Sequence, residues 1–251
     1  PPSLRSHAYH VAFDEVYEVG RIDSTTRTAD QTEIAFFWAD GPGTATPPGH
    51  WLEIARDLSG EHNLTLAQNA RLFALLGAAV ADAAIIGWDA KYFFDYWRPV
   101  TGIRSASGDG NPHTRRDLEW TPLIPTPPFP GYVSVHSTFS GAASRILALF
   151  FGHDTLVFST TSDDLPGVVR SFQSLSAAAE EAGRLLESLG HFVEPAYPAA
   201  LDDEAYIGNF LVRWTAACAA TLDFWSARTG RAIGAGDVEP LTWALAEQGR
   251  G

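Results

Sequence analysis

One cysteine, Cys218, and no methionine occur among the 251 residues. A single thiol can close no intrachain disulfide and build no multi-cysteine metal cage. Cys218 lies in the apolar run from Trp214 to Ala220, which predicts a buried structural thiol. Positive charge is scarce too: 17 Lys and Arg stand against 30 Asp and Glu, for a net charge of -13. Nucleic acid and anionic membrane both need a basic face, so neither is expected as a partner. Local anion binding survives this exclusion, because a few converging cations suffice for it. No run reaches the ~18 uninterrupted apolar residues of a membrane span. The opening Pro1-Pro2-Ser3-Leu4 has no initiator Met and no signal-peptide pattern, which reads as a start inside a longer precursor or after processing. The compartment stays open, with a soluble protein secreted after loss of its leader as one option. Repeats, low-complexity tracts and strand-like alternation are also lacking.

What is present points to a helical core. Hydrophobic residues make up 45% and charged residues 19%, an ordinary globular balance. Helices are expected at His10–Glu18, Gln31–Trp38 and Trp51–Leu58, the last after a loop rich in Gly, Thr and Pro. The clearest runs from Leu66 to Trp88, capped by Thr65 and apolar on both faces, so it should be central. That cap is a simpler reading of Asn63-Leu64-Thr65 than a glycosylation sequon. Asp89–Arg98 should continue the helix until Pro99 ends it. Residues 105–133 hold Pro122, Pro125, Pro127, Pro128 and Pro130 and read as a long ordered loop that serves a site. Helix resumes at Ser134–Phe151, Val168–Leu189 and Asp203–Thr229. The expectation is one all-α domain over 1–251, a bundle of roughly seven helices.

Three segments carry chemistry. In the first, Lys91 and Arg98 are seven residues apart. On a continuous helix they would share one face, amid aromatics. Two such cations either share an anion, meet acidic partners or snorkel to the surface. In the second, Ser134 and His136 open a helix just after the Pro-rich loop. A helix N-terminus presents free N–H groups and a favourable dipole to an anion, and His136 is placed for general acid–base work. In the third, His191 follows Gly190 at a helix end, where a cation would also simply complement the dipole.

Taken in order, these segments resemble the three signature motifs of the vanadium-dependent haloperoxidases and the related type 2 phosphatidic-acid phosphatases. That pattern is Lys, six residues, Arg-Pro; then Ser-Gly-His; then Ser-Arg, five residues, His. The first motif matches at Lys91, Arg98 and Pro99, the second at Ser134 and His136, and the third at His191 alone. The resemblance extends over Asp23–Pro48, Leu66–Arg104 and Thr121–Ala143. It implies a helical bundle of the haloperoxidase and acid-phosphatase type. It also implies vanadate, or otherwise phosphate, held by Lys91, Arg98, Ser134, the Val135 backbone N–H and His191. His191 would be the vanadium ligand, His136 the acid–base and Lys91 the residue polarising bound oxygen. Trp88 and Phe129 match the aromatic residues that chloroperoxidases place near the halide, which favours that branch over the phosphatases. Halide, hydrogen peroxide and a small organic molecule would be the substrates. Family members carry further N-terminal helices, which a second copy or another chain would supply here.

Two positions depart from the pattern. Val135 stands where the motif has Gly, and the second anion-binding Arg falls on Leu185 or Leu186, with Arg184 and Arg170 out of register. Three functions follow as expectations. The first is halide oxidation at bound vanadate. The second is a phosphatase on the same pocket, with His191 attacking phosphorus. The third is a divergent homologue without vanadate, serving another enzymatic, ligand-binding or partner-binding role. Asp202-Asp203-Glu204 would either bind a metal or, more simply, cap the next helix with acid.

Overall fold

A computed structural model describes residues 1–188 and 204–251. Their contacts divide into two compact units, Pro1–Pro195 and Ala196–Gly251. In the first unit run α1 (His7–Val19), α2 (Ala29–Phe37), α3 (Thr46–Glu61), α4 (Leu66–Phe94), α5 (Pro99–Arg104), α6 (Val135–Phe151) and α7 (Leu175–Ser188). The second holds α8 (Glu204–Thr229) and α9 (Pro240–Arg250). The helical expectation is met. One small exception is an antiparallel hairpin, β1 (Phe158–Thr161) against β2 (Val169–Phe172), with Phe158 paired to Phe172.

Local chemistry explains the helix starts. Thr65 Oγ1 accepts from the Gln68 N–H while Gln68 Oε1 accepts from the Thr65 N–H, a reciprocal capping box. Thr28 and Gln31 repeat the device at α2. Pro47 and Pro48 sit in the first turn of α3, where a missing N–H costs nothing.

α4 is the mast of the first unit. Leu72, Leu76, Val80, Ala83 and Gly87 line its buried stripe, one helical turn apart. They meet α3 and α6 in a core that includes Trp38, Trp51, Ile54, Leu58, Leu147 and Leu175. By length and composition the Leu66–Arg104 segment is also apolar enough to cross a membrane, a test that core helices pass as well. A second cluster joins Tyr9, Phe13 and Val16 of α1 to Ile103 and Trp120. In the second unit, Ala219 and Leu222 of α8 pack on Ala246 of α9.

Three boundaries differ from expectation. α4 stops at Phe94 because Asp95 turns left-handed (φ 42), and Arg98 becomes the N-cap of α5 with Pro99 in its first turn. Lys91 and Arg98 therefore belong to two elements, not to one helix face. The helix expected from Val168 begins at Leu175, after β2. Cys218 is half-buried rather than enclosed.

Candidate active site

The Pro-rich loop returns to α4 and α5 at residues 129–131, and two cations receive it. Lys91 Nζ donates to the Pro130 carbonyl at 2.8 Å and more weakly to that of Gly131 at 3.4 Å. Arg98 Nε donates to the Phe129 carbonyl at 2.6 Å. Gly131 approaches so closely that a Cβ there would lie 2.8 Å from the Trp97 carbonyl oxygen, which excludes any side chain. The Phe129 ring lies against both charges, its centroid 5.2 Å from Lys91 Nζ and 4.6 Å from the Arg98 guanidinium carbon. Trp88 meets the same ring edge-on at 4.7 Å. Lys91, Arg98, Trp88 and Phe129 are thus assembled in one place.

Lys91 is 2% exposed, and no carboxylate pairs with it or with Arg98 among the described residues. Burial, and then the neighbouring Arg98, pulls the Lys91 ammonium down to about 8. Burial pulls Arg98 down to about 10. Arg98 Nη2 is buried with no hydrogen-bond partner. Lys91 is desolvated and one Arg98 N–H is idle, a donor set whose chemistry suits an anion.

The second motif lies at the start of α6, where His136 is in electrostatic reach of both cations. Ser134 is the N-cap: its Oγ accepts from the Ser137 N–H at 3.1 Å, which leaves its own hydroxyl proton free to donate. The N–H groups of Val135 and His136 open the helix and have no acceptor within it. The Val135 side chain turns to the core. Its Cγ2 lies 3.3 Å from where a Cβ on Gly87 would stand, so a glycine on α4 accommodates the β-branched residue at the Gly position of the motif. The side chain is absorbed by α4 and the backbone donor is retained.

His136 Nε2 lies 3.1 Å from the Ala39 carbonyl. A carbonyl only accepts, so Nε2 carries the proton and Nδ1 is left as an acceptor. Desolvation depresses the ring's basicity; the Ala39 hydrogen bond and the Asp40 charge oppose it, and the charges of Lys91 and Arg98 add to it. A neutral imidazole beside a cationic pocket can take a proton and return it.

Ala39 comes from a segment that sequence reading passed over. Its neighbour Asp40 is buried and meets His50 Nδ1 at 3.1 Å, while His50 Nε2 reaches Thr160 Oγ1 at 3.2 Å. The only signal was an Asp before a Gly-Pro-Gly-Thr loop, ten residues ahead of a His on α3.

The third motif contributes nothing that can be described. His191 lies outside the described residues, as do Asp202 and Asp203 with the acidic capping or metal site read there; the side chains of Leu185, Leu186 and Glu204 do also. The other arginines are committed elsewhere. Arg170 is held by Asp30, Glu33 and Glu181, and Arg145 and Arg184 are exposed. No second arginine therefore joins Arg98 among the described residues. A separate cavity of about 50 Å³ between α1 and α5 is lined by Tyr9, Phe13, Trp97 and Ile103 and includes none of the cations.

The chain is similar to known proteins in both sequence and fold. Residues 71–218 match a family model described as the VCPO second helical-bundle domain. A vanadium chloroperoxidase of Curvularia inaequalis is 33% identical over 195 residues, which cover 66% of this chain and 31% of the relative. The chain therefore spans about a third of that curated relative. Among solved structures, a bacterial vanadium-dependent iodoperoxidase aligns with a TM-score of 0.64 and 34% identity, covering 76% of this chain and 47% of its own. A bacterial vanadium-dependent chloroperoxidase shares the fold at a TM-score of 0.56 and 19% identity, over 73% of this chain and 43% of that one. Matched by this family model over more than half of its length, the chain belongs to the vanadium haloperoxidase family.

Proposed function

We propose that Lys91, Arg98, Ser134 and the N-terminus of α6 bind vanadate, and that the protein oxidises halide with hydrogen peroxide. The observation that carries this reading is a buried lysine beside a half-buried arginine, neither paired with a carboxylate among the described residues and the arginine with an idle N–H. A tetrahedral oxyanion is the ligand that such a set complements: charge from Lys91 and Arg98, a hydroxyl from Ser134 and a backbone N–H from Val135. Phosphate has the same shape and charge pattern and would compete.

Bound vanadate would supply Lewis acidity toward hydrogen peroxide. This chain's own residues then have distinct tasks. Lys91 and Arg98 would supply the positive charge that holds the anion. His136 takes and returns a proton at Nδ1. His191 is assigned the vanadium by resemblance to the family motif. The edge-to-face pair of Trp88 and Phe129 excludes water and offers halide an apolar wall. With no second arginine among the described residues, one charge-assisted contact is lost, about 1.5–3 kcal/mol of anion affinity. The remaining cations must carry the binding.

Calorimetric titration with orthovanadate, followed by a bromination assay with peroxide, tests the reading. Micromolar binding with bromination is the expected result. Silence at millimolar vanadate would overturn it and leave a homologue with another ligand- or partner-binding role. Anion binding with hydrolysis of a phosphate monoester, but no bromination, would assign the pocket to phosphatase chemistry.

A further inference from the structure

We propose that the buried Asp40–His50–Thr160 chain is a positioning device for His136: it fixes the Ala39 carbonyl against Nε2, so that Nδ1 faces the reaction as acceptor. All three members are buried, and each is hydrogen-bonded to another, as buried polar groups are.

The geometry runs as one connected path. His50 donates from Nδ1 to both Asp40 carboxylate oxygens, at 3.1 and 3.2 Å. That bond fixes the tautomer and leaves Nε2 to accept from the Thr160 hydroxyl on β1. Trp38 stacks on the His50 ring at 4.7 Å, 23° from parallel. The loop that follows is tied to the segment after β1: the Gly41 N–H donates to Asp164 and the Ala45 N–H to Asp163. Between Trp38 and Gly41, the peptide of Ala39 and Asp40 is therefore held by side chains from α3 and β1.

Asp40 itself sits at φ 45, a left-handed conformation that non-glycine residues adopt at a cost. Glycine would occupy that turn more easily, but it has no carboxylate with which to hold His50. Keeping an aspartate in a glycine-like turn fits a residue whose side chain and backbone both have tasks. The backbone task is the direction of the Ala39 carbonyl, whose acceptor bond to His136 spans 97 positions of sequence. The same principle, a partner on the far nitrogen fixing the tautomer and ring orientation, governs histidines at metal sites.

What the ring does there rests on the proposed haloperoxidase reading; how the ring is held does not. The test separates the two by using the vanadate-free protein. Long-range proton–nitrogen NMR of the imidazole side chains reports which ring nitrogen carries the proton. The native protein is expected to show His136 as a single Nε2–H form and His50 as Nδ1–H. Asp40→Ala should leave His136 exchanging between tautomers, with its two nitrogen resonances drawn together. Asp40→Asn, which tolerates the turn and still accepts from His50, should rescue the native pattern. Where Asp40→Ala fails to fold, Asp40→Gly removes the carboxylate without backbone strain, and the same shift is expected. Folded Ala or Gly variants that retain a single Nε2–H His136 would overturn the proposal, and so would a native His136 protonated at Nδ1. In parallel, kcat for bromination should fall about tenfold or more in the Ala or Gly variant while KM for halide holds. A native enzyme without bromination would remove the proposed function and leave the tautomer result standing.

Discussion

Two regions of the first unit bury positive charge, and they do it in opposite ways. Arg170 on β2 is surrounded by acid: Glu181 at 2.7 Å, Glu33 at 2.6 Å and Asp30 at 3.1 Å, with Glu181 also accepting from the Trp38 indole N–H. Those hydrogen bonds raise its already high affinity for a proton. Lys91 and Arg98 have carbonyls, an aromatic face and each other. Both are pulled down instead. A satisfied cation ties elements together. An unsatisfied pair is tolerated where a ligand completes it, since charge is otherwise costly to strand in a core.

Breaking the Arg170 node should give the largest loss of stability. Arg170→Ala strands Glu181 and unties β2 from α2 and α7, at a cost of about 3 kcal/mol by urea unfolding. Vanadate affinity of the folded fraction should be unchanged. Parallel losses of stability and affinity would mean that Arg170, not Arg98 alone, serves the anion.

Lys91→Met should behave in the reverse sense. It keeps the apolar stem and removes a desolvated charge, so unfolding free energy should change by less than about 1 kcal/mol or rise. Orthovanadate affinity should fall at least about tenfold, one charge-assisted contact being worth ~1.5–3 kcal/mol. A variant that loses 3 kcal/mol or more would identify Lys91 as a clamp for the loop at 129–131 and not as a ligand.

The same contrast predicts a pH dependence. Lys91 releases its proton near 8 when folded and near 10.5 when unfolded, so between those values the unfolded chain binds more protons. Stability therefore rises with pH across that window, on the order of 2 kcal/mol after allowing for screening. Tyr96, pushed up to about 12 by burial, works against that rise above its ordinary value of 10.0, where the unfolded phenol ionises first. Denaturation series at pH 7.5 and 9.5 should differ in the native protein and converge in Lys91→Met. Equal slopes in both proteins would remove Lys91 as the cause.

The smallest effect concerns Val135. Val135→Gly empties the contact with Gly87 and loosens the first turn of α6, costing about 1–2 kcal/mol of stability. The backbone N–H is kept, so the vanadate Kd should hold. A marked gain in affinity would show that the isopropyl group crowds the anion after all.

How much of this was legible in the sequence varies with the physics involved. Caps and periodicity are local, so Thr65 and the apolar stripe below it announced α4, and the proline run announced the loop. The family motifs named Lys91, Arg98, Ser134 and His136; the fold sets Lys91 and Arg98 against the Phe129 ring, with His136 in electrostatic reach of both. Their arrangement was misread at Asp95, because a left-handed residue ends α4 and Pro99 starts a helix where it had been read as ending one. The hairpin escaped notice because four-residue strands are too short to show alternation. α9 escaped as well, in a C-terminal stretch with weak patterning. Asp40, His50 and Thr160 could not be joined by reading along the chain, since their contact spans 110 positions and exists only once α3 packs on β1.

The central claim is that Lys91 and Arg98 lack a counterion because they bind one from solution. Calorimetric titration of orthovanadate into the native protein and into Lys91→Met tests it most directly. The account predicts a single site of micromolar affinity in the native protein, weakened at least about tenfold in the variant, as expected for one lost charge-assisted contact. Equal affinity in both, or no heat at millimolar vanadate in either, would contradict it.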